Sequence, residues 1–317
     1  MKPRVNLYKL GRLPFVKALN VQQLLFDKLK SNVVNTNNKE TGSDSVFEQG
    51  DGRIKISKSD CGPDCVAARN SLILVEHEPV YTIGIRSKLY DDSYISRLKE
   101  ELARNKLHAD FVKTDRGGLV TFHGPGQLVA YPIIYLGDFK GIIQNRSVKS
   151  YVRLLETTII DTLARIGLEG AHTVPEYPGV WLNSGERKVA FIGISCRRFV
   201  TMHGVSINCD CDLSWFDYIV SCGIEDRSIT SIHREMLSKL GGYPSQELAA
   251  GISGDIVRGE TKNTTSSIAN ESTSGTTSGQ PNGSRLFSVG HISDVFCASF
   301  SRHFDCALIH GNTFGKE

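Results

Sequence analysis

The sequence predicts a single α/β domain, and three observations support this prediction. The 317-residue chain is 40% hydrophobic and 22% charged, an ordinary composition for a protein that buries a sizeable core. Apolar segments of strand length are interspersed with amphipathic segments of helix length. Two polar stretches, residues 32–64 and 234–285, lack this pattern and are expected to be mobile insertions. The remaining length then suits one domain.

The N-terminal segment is predicted to form a strand over Val5–Leu10 and a helix over Pro14–Leu29. Proline suits the first turn of a helix, and the apolar residues that follow it recur at roughly helical spacing. The first 26 residues also contain five bases and no acid, which is typical of mitochondrial presequences. Both interpretations of this segment, fold and targeting signal, stay open.

Three further strands are predicted over Ser71–Glu76, Val80–Ile85 and Val129–Tyr135. Pro132 lies inside the third strand. Because proline lacks the N–H that a sheet ladder needs, it indicates an edge strand or a bend.

The second half of the chain contains the clearest helix, Ser147–Gly167, with serine as N-cap and glycine as the stop after its last turn. Val189–Ser195 and Phe199–Asn208 are predicted to pair as an antiparallel hairpin. A last amphipathic helix is expected over Ile292–His303.

The domain organisation follows from these elements. Residues 1–31 supply the first strand and helix of the core, 65–233 form the catalytic core, and 286–317 supply a C-terminal helix and strand that complete it. The insertions at 32–64 and 234–285 lie between these segments.

Charge and cysteine content exclude several classes of protein. Lys plus Arg is 37 and Asp plus Glu is 34, and this near balance gives no support for nucleic-acid binding. No apolar run approaches the roughly 18 residues that span a bilayer. The eight cysteines lack the spacing of a zinc site, so we expect no bound metal. Because the chain does not start with a secretory leader, we expect reduced thiols and an intracellular compartment.

The densest candidate segment is RGGLVTFHGPGQLVAYP, residues 116–132. Gly117 and Gly118 allow backbone N–H groups to approach a ligand, and Arg116 could hold a phosphate or carboxylate. His123 is expected inside a turn. The alternative is a glycine-rich connection with a buried, hydrogen-bonded histidine. The segment matches neither the P-loop nor the dinucleotide-binding pattern.

Three other positions are candidates on residue type alone. Lys188 enters an apolar strand, where desolvation can make a neutral amine available, although an ordinary turn lysine is the simpler interpretation. Cys222 precedes a glycine at the end of an apolar run, and a small buried hydrophobe is its alternative. His203-Gly204 interrupts a strand, which indicates a bulge or a close approach of a ligand, and a purely structural role is the alternative.

These segments, in this order, resemble the lipoyl (octanoyl) transferase family. Residues 116–132 are similar to the family signature, and LILVEHEPVYTIGIRS precedes them as in the family. GVWLNSGERKVAFIGISCRRFVTMHGVSIN and DLSWFDYIVSCGIEDRSITSI follow with the family's spacing. Ser221 stands where the family usually has proline. The resemblance covers the first 30 residues, residues 68–233 and residues 286–309.

The resemblance implies a fold and an activity. The fold is that of the biotin and lipoate protein ligases, an α/β domain with a mixed sheet flanked by helices. The activity is transfer of octanoyl from octanoyl-acyl carrier protein to a lysine of lipoyl domains, such as those of glycine cleavage H protein and 2-oxoacid dehydrogenase E2 subunits. It requires no cofactor and no metal, and implies no nucleic-acid or membrane partner.

The resemblance also implies roles for individual residues. Cys222 takes the acyl group as a thioester, while Lys188 favours the thiolate and shuttles the proton. Phe122, Phe191 and Ile192 are expected walls of the acyl pocket. The implied substrate-binding residues are Arg116, Gly117, Gly118, Leu119, Val120, Thr121, Phe122, His123, Phe191, Ile192, Gly193, Gly204, Val205 and Ser206.

The implied compartment is the mitochondrion, or the cytoplasm if the chain is bacterial. Three alternatives to octanoyl transfer remain open. They are an ATP-dependent lipoate-protein ligase of the same fold, a non-catalytic acyl- or carrier-binding protein, and a cysteine hydrolase that uses Cys222 with His123 or His203.

Overall fold

The structure is a computed structural model that describes residues 2–37, 70–86, 90–219, 227–239, 241 and 287–311. Its strands are β1 (Arg4–Leu13), β2 (Asn70–His77), β3 (Val80–Ile83), β4 (Asp110–Lys113), β5 (Val120–His123), β6 (Gln127–Ile133), β7 (His172–Val174), β8 (Tyr177–Leu182), β9 (Arg187–Arg197), β10 (Val200–Asn208), β11 (Ser228–Ile229) and β12 (Ala307–His310). Its α-helices are α1 (Phe15–Asn37), α2 (Asp92–Arg104), α3 (Val148–Arg165), α4 (Ile232–Lys239) and α5 (Val289–His303).

A large mixed sheet organises the molecule, in the order β12-β1-β2-β6-β10-β9-β8-β7, with β11 against β9. Strand β1 pairs parallel with both β12 and β2. From β2 onward each neighbouring pair of the sheet is antiparallel, in the order β2, β6, β10, β9, β8 and β7. This arrangement confirms the expected mixed sheet flanked by helices.

The two faces of the large sheet are covered by different helices. One face packs against α3 and α5, and its core includes Leu72, Leu74, Ile159, Phe296 and Phe300. The other face packs against α1, and its core includes Phe15, Phe26, Ile73, Val129 and Met202. Alternate residues of β2 therefore point to opposite cores, as the period of two of a strand requires.

A second, smaller sheet lies beside the α1 face, with the strand order β4-β3-β5. Helix α2 covers it through Leu98 and Leu102, and its core contains Tyr81 and Phe122. Neither α2 nor the separation of β3 and β5 into a sheet of their own was predicted from the sequence.

Helix α3 confirms the predicted helix at both ends. The Ser147 hydroxyl accepts the backbone N–H of Ser150 at 3.2 Å, which caps the first turn. Gly167 follows the last turn with φ of +84°, a conformation that glycine adopts without strain. None of the helices in the described ranges has the length and apolar content to cross a membrane.

Two predicted boundaries are wrong. Helix α1 continues to Asn37, beyond the expected helix end at Leu29 and into the residues assigned to the first insertion, and Val33 is buried against its core. Helix α4 begins in the predicted core at Ile232 and runs to Lys239, within the residues assigned to the second insertion, where Glu235 is buried. Apart from Gly241, the rest of both proposed insertions lies outside the described residues. The C-terminal helix and strand are confirmed as α5 and β12, the latter paired with β1.

Pro132 does not mark an edge strand, because β6 lies in the centre of the large sheet between β2 and β10. The paired register of β6 and β10 ends at Ala130 and Val205 and resumes with the bridge from Tyr135 to Val200. Pro132 therefore lies where the ladder between β6 and β10 is interrupted. On its other side the register between β6 and β2 continues through Pro132 and Leu72.

The predicted hairpin is confirmed, since β9 and β10 pair antiparallel from Ile207 to Val200. Its turn consists of Arg198 and Phe199, with φ of 52° and 63°. Positive φ at both positions is the geometry that joins twisted strands through a two-residue loop. The hairpin brings Gly193 of β9 directly opposite Gly204 of β10.

Candidate active site

A cavity opens where α1, the small sheet and the central strands β6, β9 and β10 meet. The residues that line it are Phe15, Arg116, Thr121, His123, Val129, Tyr131, Phe191, Ile192, Gly193, His203, Gly204, Val205 and Ser206. Nine of the fourteen predicted substrate-binding residues are in this set. They come from three segments distant in sequence, so the fold brings the predicted residues to one place.

Two glycines shape the wall of this cavity. A Cβ on Gly204 would lie 2.1 Å from the Ala130 carbonyl oxygen, which no real Cβ tolerates. A Cβ on Gly193 would lie 3.1 Å from both the Arg116 side chain and the Gly117 carbonyl oxygen. The close approach at Gly204 is therefore that of the β6 backbone, as the structural alternative predicted, although Gly204 also lines the cavity.

The Arg116 side chain is buried, and β3 holds it. Its Nη2 donates to the Thr82 carbonyl oxygen at 2.6 Å and to the Thr82 hydroxyl at 2.9 Å, and its Nη1 donates to the Gly117 carbonyl oxygen at 3.0 Å. These bonds tie the glycine-rich segment to β3. The prediction that Arg116 binds an anion stays a prediction.

The glycine-rich segment itself makes main-chain bonds to its neighbours. The Gly117 N–H donates to the Ile194 carbonyl at 2.9 Å, so this N–H already has a partner. The carbonyls of Gly118 and Leu119 accept N–H groups from residues just after β3. Five predicted residues, Gly117, Gly118, Leu119, Val120 and Phe122, do not line the cavity.

Phe122 belongs to an aromatic cluster rather than to the cavity wall. Its ring stacks on Trp215 with centroids 4.9 Å apart and meets Phe216 edge-on. Phe191 stacks on Phe216 at 5.4 Å and also lines the cavity. Of the three expected walls, Phe191 and Ile192 thus border the cavity, and Phe122 lies behind them.

His123 ends strand β5, so its predicted position inside a turn is wrong. The residue is buried, and its ring stacks on Phe15 with centroids 6.3 Å apart. Burial lowers its pKa to about 3, so the imidazole is neutral at pH 7. Its Nδ1 lies 2.6 Å from Oε1 of Gln127, an amide oxygen that can only accept, which places the ring proton on Nδ1.

His77 is a second neutral imidazole beside the cavity. Burial lowers its pKa to about 4. Nδ1 lies 3.2 Å from the Leu13 carbonyl oxygen and therefore carries the proton, and Nε2 accepts the Tyr131 hydroxyl at 2.8 Å. This pair fixes the Tyr131 side chain, which lines the cavity.

His203 is the third imidazole, on β10. Its Nε2 lies 2.8 Å from Oδ1 of Asp115, and Oδ2 of the same carboxylate accepts Nη2 of Arg197 at 2.7 Å. The hydrogen bond from His203 lowers the Asp115 pKa to about 2, which keeps the carboxylate ionised. The His203 backbone N–H donates to Oε1 of Gln22 at 3.0 Å.

Lys188 lies on β9 and is 2% exposed. Its Nζ is 5.0 Å from the ring centroids of both Trp181 and Phe191, faces that attract an ammonium group. The expected desolvation of this lysine is confirmed by its burial. Residues 220–226 lie outside the described part of the chain, so the predicted pairing of Lys188 with Cys222 stays a prediction.

The cysteines within the described residues are free, and each has its pKa raised by burial: Cys196, Cys209, Cys211, Cys297 and Cys306. A raised pKa lowers the thiolate fraction, and the thiolate is the nucleophile. None of these five is therefore suited to nucleophilic catalysis.

Sequence reasoning missed three of the cavity residues. Phe15 was interpreted only as part of a helix, and Val129 and Tyr131 only as part of an apolar strand. The alternation of side chains along β6 is the signal that could have found two of them, because it places Val129 and Tyr131 on the same face of the sheet. No local pattern marks Phe15.

Three comparisons place these observations among known proteins. The family model described as the lipoyl protein ligase A/B catalytic domain matches residues 64–241. A mitochondrial octanoyl-[acyl-carrier-protein]:protein N-octanoyltransferase of Danio rerio is 49% identical over 167 residues, which are 53% of this chain and 68% of that protein. An octanoyltransferase of Thermobifida fusca is 40% identical over 178 residues, covering 54% and 68% respectively.

A solved structure supports the fold. The crystal structure of lipoate-protein ligase A bound with ATP superposes with a TM-score of 0.50 at 11% identity, covering 97% of this chain and 88% of that one. At this identity the similarity concerns the fold alone, and it confirms the predicted ligase-like α/β architecture.

Proposed function

Because the chain belongs to the lipoyl protein ligase A/B catalytic domain family, we propose that it transfers an octanoyl group from octanoyl-acyl carrier protein to a lysine of a lipoyl domain. It is then an acyltransferase of protein lipoylation. Its relatives in Danio rerio and Thermobifida fusca bear octanoyltransferase names, which supports this activity over others in the family.

The observation that carries the proposal is the convergence of three predicted segments on one cavity. Arg116, Thr121 and His123 come from the first, Phe191–Gly193 from the second, and Gly204–Ser206 from the third. Phe191 and Ile192 supply apolar wall surface. Burial of each CH₂ group of an acyl chain against such a surface contributes about 0.8 kcal/mol.

In the first half-reaction the Cys222 thiolate attacks the carbonyl carbon of the donor thioester. A new carbon–sulfur bond forms, and the carrier sulfur leaves as a thiolate with the electron pair of the old one. The Lys188 ammonium protonates this thiolate and becomes neutral. An ammonium group on Lys188 favours the thiolate. Covalent catalysis thus divides one transfer into two steps.

In the second half-reaction a lysine amine of the lipoyl domain attacks the acyl-enzyme. A carbon–nitrogen bond forms, and Cys222 is released as a thiol. Neutral Lys188 can take the proton of the amine. The donor is already an activated thioester, so the reaction needs neither ATP nor a metal.

The proposed partners follow from the reaction. The donor is octanoyl-acyl carrier protein, and the acceptors are lipoyl domains such as those of glycine cleavage H protein and 2-oxoacid dehydrogenase E2 subunits. The Danio rerio relative is named as mitochondrial, which supports a mitochondrial location over a bacterial cytoplasm. Import of the full chain by isolated mitochondria tests the location.

Intact-protein mass spectrometry tests the activity. Wild type, Cys222→Ala and the control Cys196→Ala are incubated with octanoyl-acyl carrier protein in the absence of ATP. One octanoyl adduct is expected on wild type and on the control, none on Cys222→Ala, and an apo lipoyl domain should remove it. An adduct that persists in Cys222→Ala would refute the thioester role.

An ATP-dependent lipoate-protein ligase is the second candidate, because the fold is shared with lipoate-protein ligase A bound with ATP. A ligase would modify the lipoyl domain from free octanoate and ATP and would ignore the carrier-bound donor. The comparison of these two substrate sets decides between the two functions.

A further inference from the structure

We infer that Trp181 is a positioning residue for Lys188: its indole face binds the Lys188 ammonium group and sets how readily that group gives up its proton. This inference rests on the proposed function, in which Lys188 acts as an ammonium in the first half-reaction and as a neutral amine in the second. Trp181 was not part of the predicted site.

The strand register brings the two residues together. Trp181 lies directly opposite Lys188 in the antiparallel pair of β8 and β9. The register shifts beside this pair, so that two steps along β9 correspond to one step along β8. The extra residue is Val189, and it forms a β-bulge that directly follows Lys188. A bulge re-aims the side chains beside it and is frequent next to active sites.

The Lys188 ammonium lies against two aromatic rings. Its Nζ is 5.0 Å from the ring centroid of Trp181 and 5.0 Å from that of Phe191. A cation within about 6 Å of a ring centroid is attracted by the negative face of the ring, and indole gives the strongest attraction. Trp181 is fully buried, and such a contact is stronger when water is excluded from it. A neutral amine gains much less, so the rings favour the protonated form of Lys188.

The Trp181 indole is itself held in place. Its Nε1 donates to the Tyr177 carbonyl oxygen on the same strand at 3.1 Å. The Arg227 guanidinium lies 5.3 Å from the Trp181 ring centroid and 5.1 Å from that of Tyr177. Arg227 is fixed there by a bond from its Nη1 to the Gly185 carbonyl oxygen at 2.7 Å. These contacts orient the indole independently of Lys188.

Gly179 provides the space for the lysine side chain. A Cβ at this position would lie 2.8 Å from Cε of Lys188 and 2.4 Å from the Ala190 carbonyl oxygen. The φ of Gly179 is +128°, which glycine adopts without the strain of other residues. Strand β8 thus supplies both room for the alkyl chain of Lys188, at Gly179, and a ring for its charge, at Trp181.

Charged groups from other parts of the chain also act on Lys188. Glu156 on α3 is coupled electrostatically to it, and burial raises the pKa of this carboxyl. Arg187, the neighbour of Lys188, is paired with Glu235 on α4 through bonds at 2.8 and 3.0 Å. Arg227 adds a positive charge on the same indole. A change confined to the electron density of the indole therefore isolates the contribution of the ring from that of Glu156 and of the Arg187 pair.

The experiment changes the ring at nearly constant shape. The chain has two tryptophans, Trp181 and Trp215, so Trp215→Phe leaves Trp181 as the only one. The full chain with this substitution is produced with tryptophan or with its mono-, di- and trifluorinated analogues. Fluorine withdraws electron density from the ring face and adds little volume. The matched control is Trp181→Phe with the same analogues at Trp215, which stacks on Phe122.

The first readout is the NMR titration of the Lys188 Cε signal in protein that contains isotope-labelled lysine, with the signal assigned through Lys188→Met. We expect the apparent pKa of Lys188 to fall with each added fluorine, by about one unit over the series, because a weaker ring face favours the ammonium less. The control series should show the same value with every analogue.

The second readout is the rate of octanoyl uptake from octanoyl-acyl carrier protein as a function of pH, measured by intact-protein mass spectrometry. Uptake requires the ammonium form of Lys188 in the proposed function. The alkaline limb of the profile should therefore move to lower pH by the same interval as the NMR titration, while the plateau rate stays unchanged. A merely structural role of Trp181 would leave this limb in place.

Arg227→Gln, added to Trp215→Phe, separates Lys188 from the second cation on the indole. The fluorine series should lower the apparent pKa of Lys188 by the same amount in this variant. Loss of the effect would assign it to Arg227 and would overturn the inference.

Other results would also overturn it. An apparent pKa of Lys188 that ignores fluorination, or that shifts equally in the control series, shows that the indole does not bind the ammonium. A shifted titration with an unmoved uptake profile shows that the contact has no part in the reaction. If Trp215→Phe fails to fold, the wild-type chain with the analogues, compared with Trp181→Phe, gives the effect of Trp181 by difference. A wild type that takes up no octanoyl refutes the proposed function, and the NMR titration then still decides whether Trp181 binds the ammonium.

Discussion

The two faces of the large sheet bury different kinds of side chain. The apolar face, which packs on α3 and α5 through Leu72, Leu74, Ile159, Phe296 and Phe300, is filled mainly by aliphatic and aromatic groups. The cavity face, which lies toward α1 and the small sheet, also buries His77, His123, His203 and Arg116 together with their partners. One sheet thus supports both a conventional core and the candidate site.

The two faces differ in how a buried side chain contributes to stability. On the apolar face a side chain contributes through the area it removes from water and through close packing against its apolar neighbours. On the cavity face every buried polar group needs a specific partner, because an unsatisfied one is costly. Buried side-chain atoms without a partner in the described structure occur on both faces, for example Thr121 Oγ1 and Ser206 Oγ at the cavity and the Tyr151 hydroxyl and Ser299 Oγ on α3 and α5.

The largest expected change in stability comes from a substitution on the apolar face. Phe296→Ala should lower the free energy of unfolding by about 3–5 kcal/mol, because Phe296 is fully buried and its loss leaves a cavity. Urea denaturation measures the change. The octanoyl-transfer rate per folded molecule should stay at the wild-type value. Val148→Ala at an exposed position on α3 is the control, and an equal loss there would contradict the assignment of the core.

The second effect concerns the buried histidines of the cavity face. His77 has a pKa near 6.5 in the unfolded chain and about 4 in the folded one, so between these values the unfolded chain binds the extra proton. The free energy of unfolding therefore falls as pH drops from about 6.5 to 4, by roughly 3 kcal/mol for this group at about 1.36 kcal/mol per pKa unit. His77→Gln should remove this part of the acid sensitivity.

Urea denaturation at several pH values between 7 and 4 measures that difference. His291→Gln, an exposed position on α5, is the control and should keep the wild-type pH profile. An unchanged profile in His77→Gln would show that His77 is not held neutral by burial.

The apolar face could be predicted well from the sequence. The helical spacing of α3 and its terminal Ser147 and Gly167 are local signals, and both ends were predicted within two residues. Strands β2, β6, β9 and β10 were predicted for the same reason, because the period of two is visible in a short segment, whereas β8, which adds Val180 and Leu182 to this core, was not predicted. The exact end of α1 was not predicted, since Asn and Ser at its C-terminal end favour turns in local statistics.

The cavity face could not be predicted from local patterns. His203 and Asp115 are 88 residues apart, and Thr82 and Arg116 are 34 apart, so their pairing exists only in the folded chain. The predicted site came from resemblance to a family, and that resemblance placed nine residues on the cavity. The edge-strand interpretation of Pro132 was wrong, because proline indicates an interrupted ladder and the sequence does not show which neighbouring strand lies at the interruption.

The smallest expected effect compares the same substitution on the two faces. Thr82 and Thr162 are both fully buried. The Thr82 hydroxyl accepts Nε and Nη2 of Arg116, whereas the Thr162 hydroxyl donates to the Thr158 carbonyl of its own helix. Thr82→Val leaves guanidinium N–H groups of Arg116 without this acceptor and should cost about 2 kcal/mol, because hydrogen bonds to charged groups are worth about 1.5–3 kcal/mol.

Thr162→Val should cost well under half as much, because the Thr158 carbonyl remains available to the helix backbone and valine keeps the shape of the side chain. The two unfolding free energies from urea denaturation, measured side by side, carry the test. Thr82→Val should also weaken octanoyl transfer, since Arg116 lines the cavity, while Thr162→Val should not. Equal losses of stability in the two variants would mean that the faces differ in composition but not in how strictly each buried polar group depends on its partner.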